Sequence, residues 1–130
     1  MAKTLPTPAC ACESGKPFAA CCEPYLRGDA LPPGAEALMR SRYTAYTLMD
    51  EPYLLATWHP SSRPARLDLA SESQPQWIGL SVKSHKQEDE THASVDFVAR
   101  YRVGGKAHRL EELSRFVKED GRWFYLSAYS

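Results

Sequence analysis

"HASVDFVARYRV", residues 92–103, alternates along its length. Ala93, Val95, Phe97, Ala99, Tyr101 and Val103 share one parity, and a period of two places them on one face of a strand. Gly104 and Gly105 follow at once and suit a tight hairpin turn. The chain must then return antiparallel, and "AHRLEELSRFV" (107–117) reads as that return strand. Asp120-Gly121 marks a second turn before "RWFYLSAYS" (122–130). Upstream, "QWIGLSVKSH" (76–85) puts Ile78, Leu80 and Val82 on one face. The second half therefore predicts a meander of three or four long antiparallel strands.

Working toward the N-terminus, the period changes. In "AEALMRSRYTAYTL" (35–48), Ala35, Leu38, Met39, Tyr43 and Tyr46 recur at three- and four-residue steps, as on one face of a helix. Arg40 falls on the other face, and Arg42 lies at the edge of the stripe. "DEPYLLATWHP" (50–60) reads as a second, short helix: Asp50 caps it, Pro52 fits its first turn and Pro60 stops it. Helices followed by a strand meander make an α+β pattern. Residues 1–34 are rich in Pro, Gly and Ala, end in the breaker cluster "DALPPG", and need something other than a core to order them.

The totals narrow the function classes. The chain has 130 residues, 43% apolar and 25% charged, as expected for one soluble domain with a small appendage. Sixteen basic and sixteen acidic residues balance, which argues against a non-specific nucleic-acid binder. No stretch approaches the ~20 apolar residues of a membrane span. "MAKTLPTPAC" has no apolar segment and does not read as a secretory signal, so the expected location is the cytoplasm, where thiols stay reduced.

All four cysteines fall in "CACESGKPFAACC", residues 10–22: Cys10, Cys12, Cys21 and Cys22. A pair of cysteines at each end of a short loop can supply the four corners that a tetrahedral metal site needs, and Ser14-Gly15 lets the loop turn back. Backbone N–H groups and Lys16 would offset the negative charge of four thiolates. A disulfide between adjacent Cys21 and Cys22 would be strained and the compartment is reducing. Redox chemistry and inert thiols remain as alternatives, without a C-x-x-C motif or an apolar periodic setting to favour them. A four-cysteine zinc site has no open position and is structural rather than catalytic.

These residues resemble a known motif. Cys10, Cys12, Cys21 and Cys22 match the C-x-C-x8-C-(C/H) spacing of the SEC-C zinc motif, and Ser14-Gly15 match its turn. Glu13 stands where the motif usually has its first glycine. Beyond it, "AEALMRSRYTAY", "YLLATWHP" and "HRLEELSRFVKEDGRWFYLSA" resemble the YchJ-like family of uncharacterised bacterial proteins over nearly the whole chain. The resemblance implies an NTF2-like fold, a cone of curved antiparallel sheet packed on helices with an interior pocket. The expected division is residues 1–34, a SEC-C-like zinc-binding segment, and residues 35–130, the NTF2-like domain.

Within such a cone, the strand "HRLEELSRF" has two faces. Leu110 and Phe116 mark the even one as inner, so His108, Glu112 and Ser114 are expected to line the concave side. A histidine beside a carboxylate could move protons near neutral pH. The blander expectation is that Glu112 and Ser114 pair with an inward arginine such as Arg42, because a buried carboxylate needs a partner. Trp58 is expected to pack, and His59 to bond a helix end. His85 and His92 flank the acidic "KQEDETH", which reads as a solvated hairpin tip. Neither a phosphate-binding glycine loop nor a G-x-S-x-G elbow occurs.

The leading functional expectation is an interaction protein: a zinc-folded knuckle presents a rigid surface to a protein or ribonucleoprotein partner with an acidic patch, near Lys3, Lys16 and Arg27. Its rival is a pocket that binds a small molecule or catalyses a proton transfer or hydrolysis. NTF2-like sheets often pair through their outer face, so a homodimer is also expected to be accessible.

Overall fold

The computed structural model describes residues 9–67, 69 and 75–129, and Lys3 lies outside them. The first short helix, α1 (Glu23–Leu26), follows the cysteine loop, which itself closes in a 3-10 turn at Phe18–Ala20. Then come α2 (Ala35–Thr47) and α3 (Glu51–Ala56). Four strands complete the order: β1 (Gln76–Gln87), β2 (His92–Val103), β3 (Lys106–Glu119) and β4 (Arg122–Tyr129). They form one antiparallel sheet in sequence order, the meander read from the alternation. Both glycine turns fall where expected, with Gly104, Gly105 and Gly121 at positive φ. The Asp50 carboxylate accepts the Tyr53 N–H and caps α3 as expected. Among the described residues, no helix is long and apolar enough to cross a membrane.

One strand departs from simple alternation. β1 carries register shifts between Trp77 and Gly79 and between Val82 and Ser84. An extra residue flips the parity of everything before it. Trp77 therefore shares the inner face with Leu80 and Val82, and Ile78, expected inside, is 40% exposed.

Helix α2 is buried on more than its apolar stripe. Leu38, Met39, Tyr43 and Ala45 are buried, and so are Ser41, Arg42 and Thr44. The sheet covers one side, while the cysteine loop and α1 cover another. Cys10, Cys12 and Cys22 join Leu38, Val95, Phe97 and Phe116 in one continuous core. The cysteine loop is thus packed onto the same core that holds the cone.

Each edge of the sheet is met at one point by another segment, which locally blunts the tendency of open edges to recruit other strands. At the β1 edge, Glu13 reaches from the cysteine loop and accepts the Leu80 N–H at 3.0 Å. At the β4 edge, the segment after α3 pairs with Tyr125: its N–H bonds Thr57 O at 2.8 Å, and the His59 N–H bonds its carbonyl at 2.7 Å.

Candidate metal centre and cone cavity

The cysteine loop is closed by backbone bonds from Cys10 N to Lys16 O and from Glu13 N to Cys10 O. Glu13 and Gly15 both take positive φ, 62° and 91°, which bends the chain back so that both ends meet. The four sulfur atoms lie within 4.8 Å of one another, with Cys12–Cys21 at 3.6 Å and Cys21–Cys22 at 3.9 Å. A tetrahedral site with metal–sulfur arms of about 2.3 Å has edges of about 3.8 Å. The cluster therefore has the size and ligand number that a metal ion needs. All four cysteines are free, and Cys10, Cys12 and Cys22 are buried.

The clustered thiols also perturb one another's protonation. Contact with the Cys22 thiol, more than any other group, holds Cys12 as a thiolate, down to about 4. The same contact and burial push Cys22 up, and burial raises Cys21. One thiolate is thus stabilised by thiol protons that a bound cation would replace.

Helix α2 supplies the surrounding shell, which the sequence pattern did not reveal. Thr44 Oγ1 sits 3.4 Å from Cys22 Sγ and 3.7 Å from Cys10 Sγ. Arg40, off the apolar stripe of α2, donates from Nη1 to Cys12 O at 2.6 Å, and its Nε is held by Glu36 at 3.0 Å. Ser14 Oγ lies 3.0 Å from Cys21 Sγ. Lys16, expected to offset the charge with its ammonium, is exposed, and its backbone N–H bonds Ser14 Oγ instead. The only hint in the sequence was the i, i+4 spacing of Arg40 and Thr44, which puts them on one face.

Glu13 shows what a side chain at the usual glycine position can do. Its left-handed backbone costs about 1–2 kcal/mol, and its bond to the Leu80 N–H at the strand edge offsets part of that cost. A Cβ on Gly79 would stand 3.0 Å from the same carboxylate. We predict that Glu13→Ala destabilises the protein by more than Glu13→Gly, because only glycine removes the backbone strain as the bond is lost. Thermal melts of the two variants check the order.

The second feature lies inside the cone, a cavity of about 240 Å³. Tyr43, Tyr46, Trp77, Phe97 and Tyr125 supply its aromatic walls, and Glu112, Ser114 and Arg42 its polar groups. The even face of β3 is inner as expected: Ser114 and Phe116 are buried and Glu112 is half-buried. His108 is not brought in. It sits at the hairpin end of the same face, exposed and stacked on its cross-strand partner Tyr101 at 5.2 Å.

The expected ion pair between Arg42 and Glu112 does not form. Arg42 Nη1 donates to Leu54 O at 2.8 Å and Thr57 Oγ1 at 2.7 Å. The last carbonyls of α3 lack intrahelical donors and attract a cation. The Trp58 and Tyr125 rings lie over the guanidinium at 5.0 and 4.5 Å and complete its seat. Burial lowers Arg42 to about 10. Burial alone raises Glu112, which has no ion-pair partner among the described residues.

The other histidines hold structure. His59 bonds no helix end; Nε2 meets Glu119 Oε2 at 2.8 Å and Nδ1 meets Ser61 Oγ at 2.7 Å, tying the loop after α3 to β3. Trp58 packs edge-on to Tyr125 as expected. His92 pairs with Asp89 at the β1–β2 hairpin, and His85 reaches Glu36 of α2 at 3.2 Å.

A four-stranded cone with a four-cysteine loop braced on its first long helix defines an NTF2-like protein of the SEC-C kind. Residues 34–128 match the family described as "YchJ, middle NTF2-like domain", and the chain belongs to that YchJ-like family. A UPF0225 protein of Cupriavidus pinatubonensis is 57% identical over 117 residues, 90% of this chain and 80% of that protein. One from Ralstonia nicotianae is 53% identical over 131 residues, covering 93% and 90%. A solution structure of a SEC-C motif containing protein from Rhodopseudomonas palustris superposes with a TM-score of 0.84 at 35% identity, over 93% of this chain and 97% of that one.

Proposed function

We propose that the cysteine cluster holds a structural zinc ion and that the braced cone binds a small organic molecule. Four sulfur ligands and no open position suit a zinc that folds rather than reacts. The observation that carries the pocket reading is the cavity itself: about 240 Å³, walled by aromatic rings, with a half-buried Glu112 that no cation among the described residues neutralises. Its size, just under the ~300–1,000 Å³ of drug-sized sites, suits a small ligand.

A fragment screen read on the Trp77 indole N–H resonance tests this. Binders shift that signal in the parent protein. Ala99→Leu, which fills the cavity from its β2 wall, abolishes the shifts while the rest of the spectrum persists. Binding that survives the filled cavity would place the ligand elsewhere.

Glu112 gives the reading a pH signature. A carboxyl raised in the folded state favours folding when protonated, so its support is complete below its unfolded value and is lost as pH rises through its folded value. Glu112→Gln is therefore expected to melt higher than the parent near pH 7 and level with it near pH 4. Melting curves at the two pH values check the crossover.

A second reading has its own observation. A groove of about 530 Å³ runs between the cysteine loop, the start of α2 and the β1–β2 hairpin, with Lys16, His85 and Lys86 along it. It favours docking of an acidic segment from a protein or ribonucleoprotein partner. Co-purification lost on Lys16→Glu, with zinc retained, would support it.

A further inference from the structure

From the geometry of Arg42 we infer that the cone cavity is an anion site, built for the carboxylate of a small organic acid with an aromatic or apolar body. The inference rests on the pocket reading above and names its ligand class.

Arg42 is 5% exposed, yet no carboxylate pairs with it among the described residues. A guanidinium carries five N–H donors in a fixed fork. Both hydrogens on Nη1 are taken, by Leu54 O and Thr57 Oγ1. The Nε–H and the Nη2 hydrogens have no acceptor among the described residues. Among the described residues the sealed side-chain atoms without a partner are Trp58 Nε1 and Arg122 Nε, so these Arg42 nitrogens keep access to open space. The open space that Arg42 borders is the cavity.

The free Nε/Nη2 edge is the side of a guanidinium that grips a carboxylate by two parallel bonds. Its direction is set in advance. Nη1 is pinned to the end of α3, and the Trp58 and Tyr125 rings, at right angles to each other, pack against the guanidinium carbon at 5.0 and 4.5 Å. A ligand pays little to organise such a group, and the low-dielectric surroundings strengthen the contact. A buried cation without a counter-charge is costly, and an anionic ligand removes that cost. The walls then choose the rest of the molecule. Tyr46, Trp77, Phe97 and Leu110 offer apolar surface for a ring or short chain. Glu112 is the one carboxyl in the lining, and its ionisation opposes a second negative charge, so the site selects a monoanion.

The test uses benzoate, its neutral isostere benzamide, and toluene, titrated into ¹⁵N-labelled full-length protein. Signals of the Arg42 Nε–H and the Trp77 indole are followed. Benzoate is expected to shift both, and benzamide to bind at least tenfold more weakly with little effect on Nε–H. Arg42→Lys, which keeps the charge but not the fork, should weaken benzoate tenfold or more, and Glu112→Gln should tighten it severalfold near pH 7. If toluene shifts Trp77 but benzoate gains nothing over benzamide, the cavity is real and the anion inference falls. If no probe shifts Trp77, the pocket reading itself falls. Acetate, added as a fourth probe, shifting Nε–H as strongly as benzoate would show that the walls choose nothing, and would overturn the assignment of an aromatic or apolar body.

Discussion

Cys22→Ser is expected to strip the proposed zinc and to destabilise the whole protein, not just its first residues. Cys22 is 1% exposed and belongs to the same continuous core as Leu38, Phe97 and Phe116. Serine offers a harder, shorter donor that does not reproduce a thiolate ligand. A structural zinc contributes about 10–16 kcal/mol of apparent binding free energy in isolated peptides. Even a small fraction of that exceeds what one ordinary side chain supplies, so a loss of at least ~3 kcal/mol is expected. The loss spreads because Thr44 and Arg40 of α2 rest against the cluster. Cys21→Ser should be milder in the core, since Cys21 is partly exposed, although it also removes a ligand. Metal analysis of reduced protein, with melts before and after a strong chelator, reads both effects. A Cys22→Ser protein that kept a full equivalent of zinc and melted like the parent would end the metal assignment.

Much of this architecture could be read from local patterns. Alternation with glycine turns specified the meander, and the Asp50–Pro52 start specified α3, because those features are set by neighbours in sequence. The spacing of Cys10, Cys12, Cys21 and Cys22 brought out the cluster for the same reason. What escaped depended on contacts between distant segments. The β1 bulge inverted Ile78 and Trp77, and no periodicity within the strand announces an inserted residue. Arg42 was placed at the edge of a helical stripe and assigned a carboxylate, yet the unpaired carbonyls at the end of α3 claimed it first. His108 had the right parity and the wrong position, since a shared face does not bring a strand end under the helices. Glu13, which stands where the motif usually has a glycine, braces a sheet edge, a contact that no local pattern announces.

Helix α2 joins the two candidate sites. Its Arg40 and Thr44 face the cysteines, while Met39, Arg42, Tyr43 and Tyr46 face the cavity. A helix of 13 residues is marginal without tertiary packing, so each side depends on the other to keep it placed. On this view the proposed zinc would act on the cavity only by fixing the helix that forms one wall.

Thr44→Val isolates that dependence without removing a ligand. The threonine is 1% exposed, and its hydroxyl's hydrogen-bond partners among the described residues are sulfurs, at 3.4 Å from Cys22 and 3.7 Å from Cys10. Four thiolates around a divalent cation leave a net charge of about −2, and a hydroxyl donor that leans on one sulfur lowers the cost of burying it. Valine keeps the volume and the branched shape, so α2 should still pack. Groups in this outer position typically carry 10–100-fold in metal affinity, which sets the expected loss. Competition with a chromophoric chelator measures it, and Thr44→Ser, which keeps the hydroxyl, should recover most of the affinity. The Arg42 Nε–H and Trp77 signals report at the same time whether the cavity wall has moved. With zinc saturating, both should match the parent, and only as metal is withdrawn should they drift, earlier in the valine protein than in the serine one. Equal affinity in the valine and parent proteins would show that the hydroxyl only fills space, and that the thiolate charge is offset by Arg40 and the loop.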